Sequence, residues 1–410
     1  MNKNVIFTIC SKNYFAQAKV LFQSVKHYAK DVDFYVLLAD EIGEFDIKSE
    51  GINVVEAKTL GIEGYADMAF KYDVIEYNTS VKPFFITKLF DKYEYEKVLY
   101  LDPDMALFDS PDLIFSLLDE KDIVLTPHLT KPYIDYVGCT SEEELLFVGI
   151  YNLGFIALRN SSVGRHVAQW WAKKLQNQCF ADKEDALHVD QKWMDFIPSL
   201  YTEHVKILTH PGVNHAFWNM HERTLVDTGT NYTVDGESLI IFHFSGLNPY
   251  SYHDIASKQT KFKKTLTNLP QYKRLYDEYV KELFECDYKH LSKLPYTYNY
   301  FDNGIFIMRF QRRLYRSLVQ DNSELSVNPF SINSGSFYSH LERNKLVIDD
   351  KTGSLNFVRK NLGSEIESKS KILYRLLRVA KSILGIKRYY LLMKFFAIHS
   401  RFEKQTFLYK

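Results

Sequence analysis

Along the first 250 residues, short and nearly continuous apolar runs alternate with stretches whose apolar residues recur every three or four positions. Those two periods separate buried strands from amphipathic helices. Val5 to Cys10 reads as a buried strand, and Tyr14 to Tyr28 sets Ala18, Leu21, Phe22 and Val25 on one helical face. Phe34 to Ala39 is a second strand ending at Asp40, and Ile52 to Val55 a third. A helix from Pro83 to Phe90 then leads into the strand Lys97 to Leu101. Asp122 to Thr126 and Gly154 to Leu158 continue the pattern, Val163 to Gln178 forms a helix with Trp170 and Trp171 against the core, and Val205 to Leu208 and Leu239 to Phe244 close it. Strand, helix, strand order predicts parallel βα units, and ligands of such sheets gather at the carboxyl ends of strands, where Cys10, Asp40 and Asp102 fall.

Beyond this region the pattern becomes helical, with aromatic-rich loops from Gln271 to Arg343. The expected organisation is an α/β domain over 1–265, a helical lid or acceptor subdomain over 266–345 and a basic C-terminal segment over 346–410. On a helix, Ile372, Leu376, Val379, Ile383 and Ile386 form one stripe with Lys371, Arg375 and Arg378 beside it, and Tyr389 to Phe396 adds a second apolar run. A helix of this kind over 369–396 either lies in an anionic membrane surface or packs on its own domain. The balance leans toward the membrane.

Composition narrows the classes. Lys+Arg and Asp+Glu both total 51, so no overall field draws nucleic acid. The four cysteines, Cys10, Cys139, Cys179 and Cys286, form no CxxC pair and suit free thiols in a reducing cytoplasm. The apolar start is too short for a signal peptide, and no run approaches the roughly 18 apolar residues of a spanning helix.

Asp102-Pro103-Asp104 follows the strand Lys97 to Leu101 directly. Two carboxylates one residue apart can share a hard divalent cation, the usual means of neutralising a diphosphate. His243, ending an apolar run and followed by Phe244-Ser245-Gly246, is placed to add a third ligand. Imidazole with carboxylates suits Mn²⁺ better than Ca²⁺. A lone His on an apolar strand is more often a satisfied core residue, but Ser245 and Gly246 make a loop whose backbone can approach phosphate.

Five segments in this order, Val81-Lys82-Pro83-Phe84, Val98 to Asp104, Tyr151-Asn152-Leu153-Gly154-Phe155, His188 to Trp193 and His243 to Gly246, resemble the GT-A nucleotide-sugar glycosyltransferases. They are most similar to bacterial polysaccharide enzymes related to glycosyltransferase family 8. The resemblance covers roughly residues 3–250. It implies a Rossmann-like mixed sheet flanked by helices, here with a helical C-terminal extension, and transfer of a sugar from a nucleotide-diphosphate sugar, a UDP-sugar above all, to a glycan or lipid-linked acceptor. It further implies that Asp102, Asp104 and His243 hold Mn²⁺ or Mg²⁺, and that Thr8, Cys10 and Tyr14 border base and ribose. Lys82 would reach the donor phosphate or the second carboxylate, that of Asp104. Ser245 and Gly246 would meet phosphate, Asn152 and Gly154 would flank the transferred sugar, and Asp190 and Gln191 would lie near its anomeric carbon. The expected location is the cytoplasm, with or without attachment to the inner face of the membrane.

Two points depart from or extend that pattern. The family continues its His-x-x-Gly with Lys-Pro-Trp, whereas here Leu247-Asn248-Pro249 follows, which leaves Lys258, Arg223 or Arg309 as replacement cations. His215, Trp218, His221 and Glu222 cluster as an acceptor wall, and Asp190 or Glu222 would be the base if the reaction inverts. Resemblance to family 8 favours retention. The rival readings are a carbohydrate-binding protein without turnover and a haloacid-dehalogenase-like phosphatase, whose Asp-x-Asp normally stands on the first strand. The absence of GxGxxG argues against a Rossmann dehydrogenase.

Overall fold

The computed structural model describes residues 3–43, 51–255, 265–348, 351 and 362–409. They divide into two compact units, Met1–Ile62 with Val74–Tyr296, and Glu63–Asp73 with Thr297–Lys410.

The first unit is built on a seven-stranded sheet. Its strands include β1 (Asn4–Cys10), β2 (Asp33–Leu38), β3 (Asn53–Glu56) and β4 (Lys97–Leu101). After a short β5 (Met105–Leu107) outside this sheet come β6 (Ile123–Pro127) and β7 (Tyr151–Arg159), with Val205–Ile207 at one edge. The order is Val205–Ile207, β6, β7, β4, β1, β2, β3. All neighbours are parallel except β7, which runs antiparallel to both β4 and β6 and makes the sheet mixed. Val5, Ile6, Phe7, Val98 and Leu99 are fully buried, as expected of central strands covered on both faces. The expected α/β class, a mixed sheet flanked by helices, is the class observed.

Helix Ser162–Gln178 is capped by the Ser161 side chain, which accepts from the Gly164 N–H, and it packs against helix Lys82–Asp91. A Cβ at Gly164 would stand 2.0 Å from the Arg159 carbonyl, so only glycine lets the chain leave β7 this closely. Helix Lys273–Glu285, grouped by its sequence with residues 266–345, buries Leu275, Tyr276, Tyr279 and Leu283 in the core of this first unit. A second, three-stranded sheet joins β5 to Ile241–His243 and His215–Ala216. Its register sets His243 opposite Met105 and Phe242 opposite Ala106.

In the second unit Phe70, on helix Tyr65–Lys71, is ringed by Phe301, Tyr315, Phe330 and Phe337. The buried Arg312 donates to the carbonyls of Phe70, Tyr72 and Tyr298, which satisfies a guanidinium that would otherwise be costly inside. The C-terminal helix Leu362–His399 is broken at Gly385, whose φ of 67° lies in the left-handed region. Its stripe of Ile372, Leu376, Val379, Ile383 and Ile386 is exposed throughout, at 55–77%.

Candidate metal centre and adjoining pocket

Two short stretches of backbone pairing bring three candidate metal ligands together. The Asp102 N–H donates to the Gly154 carbonyl at 2.8 Å, which holds the end of β4 against β7, and the Met105 N–H returns to the Asp102 carbonyl as the chain turns into β5. The Phe244 N–H donates to the Asp104 carbonyl at 2.8 Å, and the register of β5 with Ile241–His243 places the imidazole beside both carboxylates. His243 Nε2 lies 3.2 Å from Asp104 Oδ1 and 3.9 Å from Asp102 Oδ2. One ligand atom from each residue falls within 4.8 Å of the others, and the carboxylates are partly exposed while the imidazole is buried.

A relay of buried amides sets the face that His243 presents. His128 Nδ1 donates to the Ile150 carbonyl, leaving its Nε2 to accept from Asn152 Nδ2 at 3.3 Å. Asn214 Nδ2 donates to Asn152 Oδ1 at 3.1 Å and to Thr126, so Asn214 Oδ1 faces His243 Nδ1 at 3.4 Å and takes its N–H. The Nε2 lone pair is thereby turned toward two carboxylates. Lone pairs converging in this way require either a cation or a proton between them, and the donor set of two carboxylates and one imidazole fits a divalent metal ion. Burial pulls the His243 imidazole down, but the Asp104 carboxylate outweighs it and leaves the ring above its ordinary value. Burial likewise raises Asp102, against the pull of Lys82 and His243.

Gly154 makes room for this cluster. A Cβ there would lie 2.8 Å from Asn152 Oδ1, from Asp102 Oδ2 and from His243 Cε1 alike. The Tyr100 hydroxyl donates to Asp102 Oδ1 at 2.6 Å, fixing the first carboxylate from the other side.

Beside the cluster is a pocket of about 420 Å³ at the carboxyl ends of β1 and β4, walled by Cys10, Ser11, Asn13, Tyr14, Asn78, Thr79, Asp102, Asp104, Ser245 and Gly246 among others. Burial pushes the Cys10 thiol far up and the Tyr14 phenol up to about 12, so both are neutral walls. Six of the residues expected at the donor site, Cys10, Tyr14, Asp102, Asp104, Ser245 and Gly246, line this pocket. Thr8 does not reach it: the residue is fully buried in β1.

The other predicted residues fall into two groups. Lys82 Nζ contacts Asp190 Oδ2 at 2.5 Å and the Leu153 carbonyl at 2.7 Å, and it lies 3.9 Å from the centre of the Tyr100 ring. Its ammonium is therefore committed to Asp190 rather than extended into the pocket. Gln191 accepts from the Leu153 N–H and donates to the Val148 carbonyl, so it holds the segment that carries Asn152 and Gly154. Glu222 is spent on the Thr130 N–H and hydroxyl and on the Lys131 N–H. Arg223 is buried on the carbonyls of Pro211 and Val213, and His215 sits between Asn219 and Tyr272 in the core. Trp218 is 5% exposed and meets His243 and His128 edge-on, which makes it packing for the relay rather than an open stacking face. Lys258 lies outside the described residues.

Sequence reasoning missed His128, Asn214, Tyr100, Asn78 and Thr79. A polar residue within an otherwise apolar run, as with Tyr100 before Asp102, was the available signal for only some of them.

No family model matches this chain. An uncharacterized Bacillus subtilis (strain 168) protein, YfnF, is 29% identical over 306 residues, covering 72% of this chain and 96% of the relative. Among solved structures, the galactosyltransferase LgtC in complex with donor and acceptor sugar analogs is 16% identical with a TM-score of 0.41, over 71% of this chain and 97% of LgtC. The glycosyltransferase GlyE of Streptococcus pneumoniae TIGR4 is 14% identical with a TM-score of 0.39, over 73% and 67%. Mouse xyloside xylosyltransferase 1 is 14% identical with a TM-score of 0.37, over 59% and 97%.

Proposed function

We propose that this chain is a metal-dependent glycosyltransferase that moves a sugar from a nucleotide-diphosphate sugar, a UDP-sugar, to a glycan or lipid-linked acceptor. The observation that carries the reading is the convergence of Asp102, Asp104 and His243, with both carboxylates at the wall of a pocket at the strand ends. These three residues would hold Mn²⁺ or Mg²⁺, and the bound ion would offset the negative charge that develops on the departing diphosphate. Cys10, Ser11, Asn13 and Tyr14, with Asn78 and Thr79, would enclose base and ribose. Gly246 has a φ of 74°, and the Ser245-Gly246 backbone at the pocket wall would approach phosphate. Asn152 and Gly154 border the metal ligands where the transferred sugar would lie, with Asp190 held behind them by Lys82.

Two observations support retention of anomeric configuration. Inversion needs a carboxylate free to take the acceptor proton. Asp190 is bound to Lys82, and Glu222 is saturated by Thr130 and Lys131. A front-face route, in which the leaving diphosphate itself accepts that proton, asks nothing of either.

The exposed stripe on the broken C-terminal helix supports contact with an anionic membrane surface, and with it a lipid-linked acceptor on the cytoplasmic face. Among the described residues no helix is long and apolar enough to cross a membrane. A screen of sugar nucleotides with Mn²⁺ for thermal stabilisation tests the donor assignment. A true donor at about 100 times its Kd adds about 2.7 kcal/mol to stability. Failure of every sugar nucleotide to shift the melting temperature would remove the reading.

A further inference from the structure

A small annexe of about 20 Å³ opens behind Asp104, and Tyr14, Asp104 and Gly246 line both it and the nucleotide pocket. Its inner wall is Tyr279, from helix Lys273–Glu285, with Pro249 from the loop after His243. Tyr279 is 3% exposed, its ring is stacked on Phe244 at 3.7 Å, and its hydroxyl is buried without a hydrogen-bond partner among the described residues. A buried donor left unsatisfied costs free energy that is recovered only when an acceptor arrives. Gln17, on the same annexe, likewise has a buried Oε1 without a partner, so neither group satisfies the other.

The loop that closes this space is the one where the resembled family carries a Lys after its His-x-x-Gly. Here Leu247 and Pro249 occupy the annexe wall and bring no cation. Of the replacements named from sequence, Arg223 is committed to the Pro211 and Val213 carbonyls. What the wall does offer beside Asp104 is an O–H donor with nothing to donate to. A phosphate oxygen is acceptor-only, so it complements a buried phenol that has no protein acceptor among the described residues.

We propose that Tyr279 is a diphosphate-binding residue whose hydroxyl donates to the phosphate group lodged between Asp104 and the Gly246 turn, in place of the absent lysine. The assignment rests on the nucleotide-sugar reading above. It assigns to helix Lys273–Glu285 a direct part in the donor site, with neutral hydrogen bonding standing in for positive charge.

Tyr279→Phe tests it, because the ring that stacks on Phe244 stays and only the orphan hydroxyl goes. Binding of UDP and of UMP, each with Mn²⁺, would be measured by calorimetry on the full chain, together with the melting temperature of the free protein. The expected result is UDP affinity about 10- to 100-fold weaker, UMP affinity changed less than twofold, and a free-protein melting temperature unchanged or raised. Equal UDP affinity in the two proteins would overturn the assignment while leaving the donor reading intact. A lowered melting temperature with unchanged UDP affinity would overturn it in favour of a structural hydroxyl. Failure of the unsubstituted protein to bind UDP with Mn²⁺ would overturn the donor reading itself, and the assignment with it.

Discussion

Replacing Gly154 by alanine asks whether the metal cluster depends on the bare backbone at this point. The added methyl would stand 2.8 Å from Asn152 Oδ1, Asp102 Oδ2 and His243 Cε1, and no real Cβ is found closer than 3.0 Å to its neighbours. Gly154 lies within β7 with no positive φ, so alanine adopts the backbone without strain and the effect is one of crowding alone. Each of the three contacts must open by several tenths of an ångström to reach ordinary van der Waals separation. Overpacking of this kind costs about 1–3 kcal/mol, and a displacement of catalytic groups approaching 1 Å can cost about 100-fold in rate. The side chains that must move are two proposed ligands, Asp102 and His243, and the Asn152 amide, which acts through Asn214 to orient that same imidazole. The expected outcome is a fall of a few degrees in the melting temperature of the free protein, near-complete loss of the extra stabilisation by Mn²⁺ with UDP, and turnover reduced at least 100-fold. The assay is thermal unfolding with and without Mn²⁺ and UDP, followed by initial rates of UDP release. A Gly154→Ala protein that binds Mn²⁺ and UDP as tightly as the original would refute the packing argument.

Other outcomes follow from the same contacts. Lys82→Met leaves the buried Asp190 carboxylate without its cation and should cost about 3–5 kcal/mol in urea unfolding, part of which returns in the Lys82→Met, Asp190→Asn double variant. Because the raised His243 imidazole carries a proton that a metal must displace, Mn²⁺ affinity should rise with pH by about tenfold per unit until that group has titrated, read by calorimetry as proton release in buffers of different ionisation enthalpy. Burial pushes His128 down to about 4 and His215 to about 3. Both lie below the unfolded value of about 6.5, so their contribution is complete above pH 6.5 and drains as the unfolded chain takes up protons below it. The pair should remove about 3 kcal/mol of stability between pH 7.5 and 5.5, and a loss under 1 kcal/mol would contradict their neutral burial. Vesicles rich in anionic lipid should sediment with the protein at low salt and release the Leu376→Glu, Ile383→Glu variant.

The strands of the main sheet and the carboxylates after β4 were legible because each is a local pattern, an unbroken apolar run followed at once by Asp102-Pro103-Asp104. The run ending at Phe244 in the second sheet, followed by Ser245, was legible in the same way. The relay from His128 through Asn152 and Asn214 to His243 was not legible. Its members are single polar residues spread over more than a hundred positions, and only the register of β7 and the His215–Ala216 strand brings them together. Glu222 and His215 show the converse error. Polar residues crowded in sequence suggested a site wall, yet each satisfies a buried donor or acceptor within the fold. Helix Lys273–Glu285 displayed its apolar face plainly, but periodicity does not say which core receives that face. For the same reason residues 63–73 could not be assigned from sequence to the unit formed by Thr297–Lys410.

The most direct test of the central claim is the release of nucleoside diphosphate from a panel of sugar nucleotides, with Mn²⁺ or with chelator, by the unsubstituted protein and by Asp104→Ala. The account predicts release from at least one sugar nucleotide that requires the metal and falls at least 100-fold in the variant. Release that persists in chelator or in Asp104→Ala, or no release from any donor, would contradict it.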